Sequence, residues 1–419
     1  MSTTRTTAPT PTRTAGTSGT SAAAASSGPV AVASTVCRED EHFGALATDW
    51  ADLYDRCATV TPFQTHAWLH SWWLSYGVPG RLRVVLVRRV TDGRLVAAAP
   101  LWLTPGRAPT VAFLGGDLTD YGDVLVDEGC PGALPALAAA LADLPELTRG
   151  AVVDLREVRP GAAAERLLAR WPGPRRRYPD STCLELPCLP VDDLVRRLPS
   201  PRAQRARAKL RKIDREGITA RHVPADEVSG ALDHLLDLHR RQWVGRGVTA
   251  EHLTSRFAEH LGRAVRGMAA SGHACVTEFL LGDEVVAVDL TLLSPRLSGG
   301  YLYGADSMLR SLKVDLATLL LRNSARLGDG TGRTTLSLLR GDEPYKHHWR
   351  PDAVRNGRLL LARRRAAPLL WLRAAYVGGR GRAADRLRDH AWARALRHRL
   401  TGGPAAAPTG RTGRGRTTS

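Results

Sequence analysis

Ten consecutive residues, Arg340-Gly341-Asp342-Glu343-Pro344-Tyr345-Lys346-His347-His348-Trp349, gather proton acceptors, proton donors and cations in one run punctuated by Gly and Pro. Asp342 and Glu343 are candidate bases. Tyr345 and Lys346 are candidate donors, and Lys346 or Arg340 suits an anion. A carboxylate beside Lys and Arg normally has a lowered pKa, so a base role here demands a compensating apolar setting. The plain alternative is a solvated loop whose charges pair locally. His347-His348 has no carboxylate or His at helical metal spacing, so no metal is expected.

The elements that must position this run are legible around it. Ala274 to Leu281, a Gly282-Asp283 turn, Val285 to Leu293 and Gly300 to Gly304 read as strands. Ser311 to Leu327 reads as a helix, and Thr334 to Leu339 as the strand that delivers the run. This order lays a helix on a sheet with its N-terminus beside the end of the preceding strand. Upstream, Asp226 to Trp243 and Thr254 to Ser271 are amphipathic helices, and a helix over 200–217 carries seven Lys or Arg. Nearer the N-terminus, aromatics at helical spacing (Trp68, Trp72, Trp73) read as core. Leu82 to Val87 and Leu95 to Leu103 form a hairpin about Thr91-Asp92-Gly93. Further strands are expected at Val111 to Leu114, Val124 to Val126 and Val152 to Leu155, with a helix at Ala133 to Leu144.

The chain of 419 residues has 59 Lys+Arg against 41 Asp+Glu, a formal +18. The surplus is local: residues 355–419 hold 16 Arg and two Asp, and residues 37–354 are nearly neutral. Global basicity therefore does not argue for nucleic acid. Six cysteines show no metal or disulfide framework. The first 36 residues lack a secretory pattern, and no apolar run reaches 18 residues, so a cytoplasmic protein is expected. Thirty of those 36 residues are Ser, Thr, Ala, Pro or Gly, a composition expected to be disordered. Prolines at 172, 174, 179, 187 and 190 read as a connection between halves.

The 340–349 run resembles the terminal signature of the CelD/BcsL-type acetyltransferase family of the GNAT superfamily, related to the FemAB peptidyltransferases. Phe63-Gln64 with Trp68, Asp120-Tyr121-Gly122-Asp123, the Arg-rich helix, Leu238-His239 with Trp243, and Tyr303-Gly304-Ala305-Asp306 extend the resemblance over most of residues 50–350. It implies an α/β (mixed α+β) protein of two tandem GNAT-like halves, at 37–190 and 191–354, between a disordered tail (1–36) and a basic helical tail (355–419). It further implies acyl transfer from acetyl-CoA or another acyl-CoA, as co-substrate rather than tightly bound cofactor, to a small-molecule or glycan amine. Asp342, Glu343, Tyr345 and Lys346 would then be catalytic, the carboxylates as base and Tyr345 as proton donor to the thiolate. Tyr303, Gly304, Ser311, Lys313 and Arg340 would bind the carrier, its diphosphate against the amides of Met308 to Val314. Gln64, Asp120, Tyr121, Arg205, His239 and Trp243 would bind the acceptor. The family often has Ser-Pro-Gly where this chain has Ser311-Leu312-Lys313.

Two rivals stand beside this expectation. Arg residues occur all round the 200–217 helix, which is read as binding a phosphorylated or carboxylated acceptor. An aminoacyl-tRNA-dependent ligase is the less favoured use, because aromatic interleaving is absent. A non-catalytic membrane-docking protein is the other rival. Residues 355–400 read as basic amphipathic helices suited to an anionic bilayer at the inner face of the membrane, or else packed on the body with a solvated Arg face.

Overall fold

The structure is a computed structural model that describes residues 31–380 other than 107, 109 and 244–249. The first half runs β1 (Val32–Cys37), α1 (Asp40–Ala45), α2 (Ala47–Arg56), α3 (His66–Tyr76), β2 (Val84–Arg89), β3 (Leu95–Ala99), β4 (Leu101–Leu103) and β5 (Thr110–Phe113). It continues through β6 (Leu125–Val126), α4 (Ala133–Ala142), α5 (Pro145–Thr148), β7 (Val152–Val158), α6 (Ala163–Arg170) and β8 (Arg175–Pro187). The Asp92-Gly93 turn closes the β2–β3 hairpin, with Gly93 at φ +69° where a side chain would be strained. Thr65 opens α3 by accepting the Trp68 N–H, and Trp68, Trp72 and Trp73 are buried as expected.

The second half repeats this plan as α7 (Val191–Arg196), α8 (Ser200–Arg215), β9 (Thr219–His222), α9 (Val228–Trp243), α10 (Ser255–Ala270), β10 (Ala274–Leu281) and β11 (Glu284–Leu293). Then come β12 (Leu297–Ala305), α11 (Ser307–Ser311), α12 (Leu316–Gly328), β13 (Thr335–Arg340), β14 (Asp352–Leu361) and a helix α13 at 367–380. In each half a strand, a helix and a second strand form a parallel pair that touches at one end only: β5 with β7, and β12 with β13. The β12–β13 ladder runs from Leu297↔Thr335 to Gly299↔Ser337 and then parts. Splayed parallel strands leave unpaired backbone and a wedge of space between them.

A ten-stranded sheet, β4-β5-β7-β14-β8-β13-β12-β11-β10-β9, joins the halves, and β1-β2-β3-β6 form a second sheet. At the junction the last strands are exchanged. β8, which ends the first half, lies against β13, while β14, which ends the second, lies against β7. The two exchanged strands pair antiparallel with each other. On one face, α9 and α10 share a core with α3 of the first half; on the other, α8 and α12 cover the second half.

Four sequence expectations are corrected here. Disorder expected through residue 36 gives way to β1 from Val32, which pairs with β2; residues 1–30 lie outside the described residues. The proline-rich connection at 172–190 is largely β8, a central strand. Its Pro179 faces Gly357 where the β14 register shifts, a place that tolerates a missing N–H. The expected tail beginning at 355 starts inside β14; of the rest, residues 381–419 lie outside the described residues. The Arg-rich helix is also not basic all round. Ala203, Ala206, Leu210 and Ile213 form a buried stripe at helical spacing, so α8 is a core helix with a charged outer face.

Candidate functional site

The wedge between β12 and β13 is bordered by two adjoining spaces. On the α12 face is an apolar slot of about 200 Å³, walled by Gly300 and Tyr303 of β12, Leu316 and Ser324 of α12, and Ser337 and Leu338 of β13. Beside it lies a larger cleft of about 900 Å³ between the halves. Gly300, Tyr303, Leu338, Tyr345 and Lys346 border both, so the two tyrosines stand where slot meets cleft. Burial raises both phenols above their ordinary pKa, so each remains a proton donor at neutral pH.

The cleft floor is built by a distorted strand end. Between Ser337 and Arg340 the β13 register against β8 slips, and Leu339 adopts φ +56°. A left-handed Leu costs on the order of 1–3 kcal/mol, offset in part by its N–H donating to Ser337 Oγ at 3.0 Å. The kink turns Arg340 onto the first half. Its Nε lies 3.1 Å from Asp120 Oδ1, its backbone N–H donates to Asp120 Oδ2 at 3.2 Å, and Nη1 pairs with Glu157 at 3.3 Å. Burial nevertheless dominates at Asp120 and raises its carboxyl against the pull of Arg340. Lys346 is buried, donating to the Arg340 carbonyl at 3.0 Å and pairing with Glu343 at 2.8 Å, which folds the 340–349 run back over the strand end.

On the opposite wall, His239 Nδ1 lies 2.7 Å from the Tyr303 carbonyl oxygen. Gly304 makes this approach feasible: a Cβ there would stand 2.6 Å from the His239 backbone nitrogen and 2.5 Å from the Leu235 carbonyl oxygen. His239 Nε2 is 3.4 Å from His252 Nδ1. Burial lowers both imidazoles, His252 to about 4, so both are neutral at pH 7. Beside them Tyr76 donates to Glu251 Oε1 at 2.8 Å, and Arg256 clamps the same carboxylate, holding it down at about 2.

Of the residues singled out in the sequence, the cleft gathers Asp120, His239, Tyr303, Arg340, Glu343, Tyr345 and Lys346. Others stand elsewhere. Asp342 is three-quarters exposed and hydrogen-bonded to His347 Nε2 at 2.5 Å; it lacks the apolar setting that a base role demands. Gln64 is buried, its Oε1 accepting from Thr61 and its Nε2 donating to the Tyr121 carbonyl, so it braces the 120–123 loop. Tyr121 is buried too, its hydroxyl donating to Glu185 at 2.9 Å. Arg205 points outward from α8, away from both spaces. Gly304 packs under α9. Trp243 ends α9, and its side chain is outside the described residues.

The expected diphosphate seat also differs. Asp306 accepts the Met308 N–H at 2.7 Å, and the amides of Leu312, Lys313 and Val314 bond to carbonyls within the turn. Asp315 caps α12, accepting from Thr318 N and Oγ1 and pairing with Lys209 at 2.8 Å. The chain's own carboxylates therefore occupy both helix openings, and neither Ser311 nor Lys313 lines the slot. Sequence reasoning missed Tyr76, Glu251, His252 and the buried Asp289. Tyr76 continues the Trp68–Trp72 helical stripe by four residues, a signal that was available; Glu251 and His252 sit on a short turn without periodicity.

Residues 200–347 match the family model described as an acetyltransferase (GNAT) domain. A search of curated proteins finds no match. Among solved structures, FemX superposes with a TM-score of 0.57 at 11% identity, covering 78% of this chain and 98% of that one. A conserved protein of unknown function from Bacteroides thetaiotaomicron superposes at 0.54 with 13% identity, covering 78% and 100%. At such identities the likeness is one of fold. The chain thus has the mixed α/β fold seen in FemX, with a GNAT acetyltransferase domain in its second half, and such a domain implies an acyl-CoA co-substrate. Among the described residues, no helix is long and apolar enough to cross a membrane.

Proposed function

We propose that this protein transfers an acyl group from acyl-CoA to an amine, and that the amine belongs to envelope, polysaccharide or specialised metabolism, a reading supported by the CelD/BcsL-type resemblance. The observation that carries the reading is that Tyr303 and Tyr345 line both slot and cleft. An apolar slot of about 200 Å³ is offered to the thioester arm, and the cleft of about 900 Å³ to an acceptor. His239 is the base in this scheme. Its Nδ1–H is held by the Tyr303 carbonyl, so Nε2 is the ring nitrogen that accepts the amine's proton, the amine replacing the 3.4 Å contact with His252 Nδ1. The amine nitrogen then bonds to the thioester carbonyl carbon, the C–S bond breaks, and the Tyr345 hydroxyl gives its proton to the departing sulfur. Arg340 and Lys346 have positioning roles, since their charges are already engaged within the protein.

One observation favours a second reading, a non-catalytic binding protein: Asp306 and Asp315 fill the helix openings where the diphosphate was expected. The aminoacyl-tRNA ligase has no comparable support, because the exposed Arg residues of α8 border neither space. Calorimetric titration with acetyl-CoA separates the two remaining readings. The expected result is saturable heat with the wild type and with Tyr345→Phe, but thiol release in the presence of amines at least tenfold slower for the variant. Absence of saturable heat overturns the enzymatic reading, and equal turnover removes the role given to Tyr345.

A further inference from the structure

Helix α13 has two faces of different character. Leu370, Ala374 and Val377, with the preceding Ala366, are buried against Val152, Leu360 and Ala362. That stripe anchors the helix to the strand β7 and the end of β14. The outward face carries Leu369, Leu372 and Tyr376, which are 49%, 68% and 52% exposed, at the i, i+3 and i+7 positions of one helical surface. Trp371 flanks them, half exposed, with the Arg176 guanidinium 4.0 Å above its ring. Scattered apolar residues on a surface are ordinary, but four large ones within eight residues of one helix form a patch.

The patch is framed by cations. Arg364, Arg365 and Arg380 are exposed on the helix and its approach, and Arg175 and Arg176 lie exposed on β8 beside it. No Asp or Glu occurs between residues 353 and 384. Arg373 is the exception among the cations, being committed to Asp154. The chain that continues beyond the described residues, 381–419, adds nine Arg against Asp385 and Asp389. Apolar side chains on one helical face, an aromatic at its edge and guanidinium groups around it match the interface of an anionic bilayer. There the headgroups meet the cations and Leu, Trp and Tyr enter the acyl boundary.

We propose that the exposed face of α13 is a peripheral docking surface for an anionic lipid bilayer. A protein partner would leave the ring of like charges without an equally extended acidic counterpart, whereas a lipid surface supplies that charge wherever the helix lands. The inference is independent of the catalytic reading. It narrows the basic region expected from the sequence, because residues 355–361 belong to β14 and cannot reach a membrane while paired in the sheet.

The test uses the full chain and vesicles of phosphatidylglycerol mixed with phosphatidylcholine, against phosphatidylcholine alone. The expected result is co-sedimentation with the anionic vesicles only, a blue shift of tryptophan emission, and weakening as salt rises. The double substitution Leu369→Ser with Leu372→Ser changes two exposed side chains, so the thermal midpoint should stay unchanged while vesicle affinity falls at least tenfold. Equal binding to neutral vesicles, no binding to either, or undiminished binding of the double variant overturns the proposal; the last would assign lipid contact to residues 381–419. A double variant that instead changes sedimentation in the absence of lipid would make the patch a contact between copies of this chain, and would overturn it too.

Discussion

The carbonyl oxygen of Tyr303 lies 2.7 Å from His239 Nδ1, and since a carbonyl can only accept, this single contact determines which imidazole nitrogen carries hydrogen. Nε2 is then the acceptor nitrogen of the ring, 3.4 Å from His252 Nδ1. Replacing His239 by Gln retains a polar side chain of similar reach but removes a titratable base. Thiol release from acetyl-CoA with amines should fall by about a hundredfold, with donor affinity changed less than threefold. Because burial lowers the imidazole below its ordinary 6.5, wild-type turnover should rise with pH through a midpoint below that value and then level off. The Gln variant should lack that acid limb, and a variant that retains it would transfer the base role elsewhere.

Asp342 provides the opposite expectation. Its carboxylate is spent on His347 at the surface of the run, so Asp342→Asn should leave turnover within twofold of wild type. Steady-state rates measured beside His239→Gln check this directly. A hundredfold loss at Asp342 would mean that the 340–349 loop closes differently when substrate is bound.

Asp289 and Asp315 make stability depend on pH in opposite directions. Asp289 is buried on β11, its Oδ2 accepting from Thr291 and Asn323, and burial lifts its carboxyl to about 6. The folded state thus holds a proton that the unfolded state releases near 3.8, and stability falls as pH rises from about 4 to about 6, by roughly 3 kcal/mol in all. Asp289→Asn keeps an acceptor for both donors without the charge. It should raise the urea midpoint at pH 8 and leave it nearly unchanged at pH 4. An unchanged midpoint at pH 8 would show that the carboxylate is solvated.

For Asp315 the capping bonds and Lys209 outweigh burial and lower the carboxyl. Its contribution is present above the ordinary 3.8 and disappears as pH falls through the lowered value. Asp315→Ala should cost about 1 kcal/mol at pH 7, and progressively less in acid, by the same urea measurement. A cost independent of pH would point to lost packing rather than a charged cap.

The sequence was informative where periodicity and punctuation acted locally. The hairpin at Asp92-Gly93, the helices α9, α10 and α12, and the strands β10 to β13 follow from residue patterns within each element. β8 and β14 were not legible. Pro179 and Pro187 read as part of a connection, and only pairing with a partner far along the chain makes a strand of them. The cleft was partly legible because Arg340, Glu343, Tyr345 and Lys346 are adjacent in sequence. His252 and Tyr76 reach it from separate turns and helices, so their partnership with His239 and Glu251 exists only in three dimensions. The helix openings were misjudged for a different reason. Asp306 and Asp315 look like ordinary loop acids until Asp306 is seen to take the Met308 amide, one of those expected to hold an anion, and Asp315 the Thr318 amide that opens α12.

The exchange of β8 and β14 means that each half is finished by the other's polypeptide. Asn356 of β14 donates to the Asp120 carbonyl and to Glu157, both at 2.9 Å, so a strand encoded near the C-terminus supports a loop encoded some 236 positions earlier. Severing the gene at residue 190 would leave one fragment with an uncovered β7 and the other with an uncovered β13. Neither piece should be stable when expressed by itself, whereas the two produced together should reassemble by trading strands. The second half is for this reason not a portable cassette: grafting residues 200–347 into another protein would carry the matched segment and leave its scaffold behind.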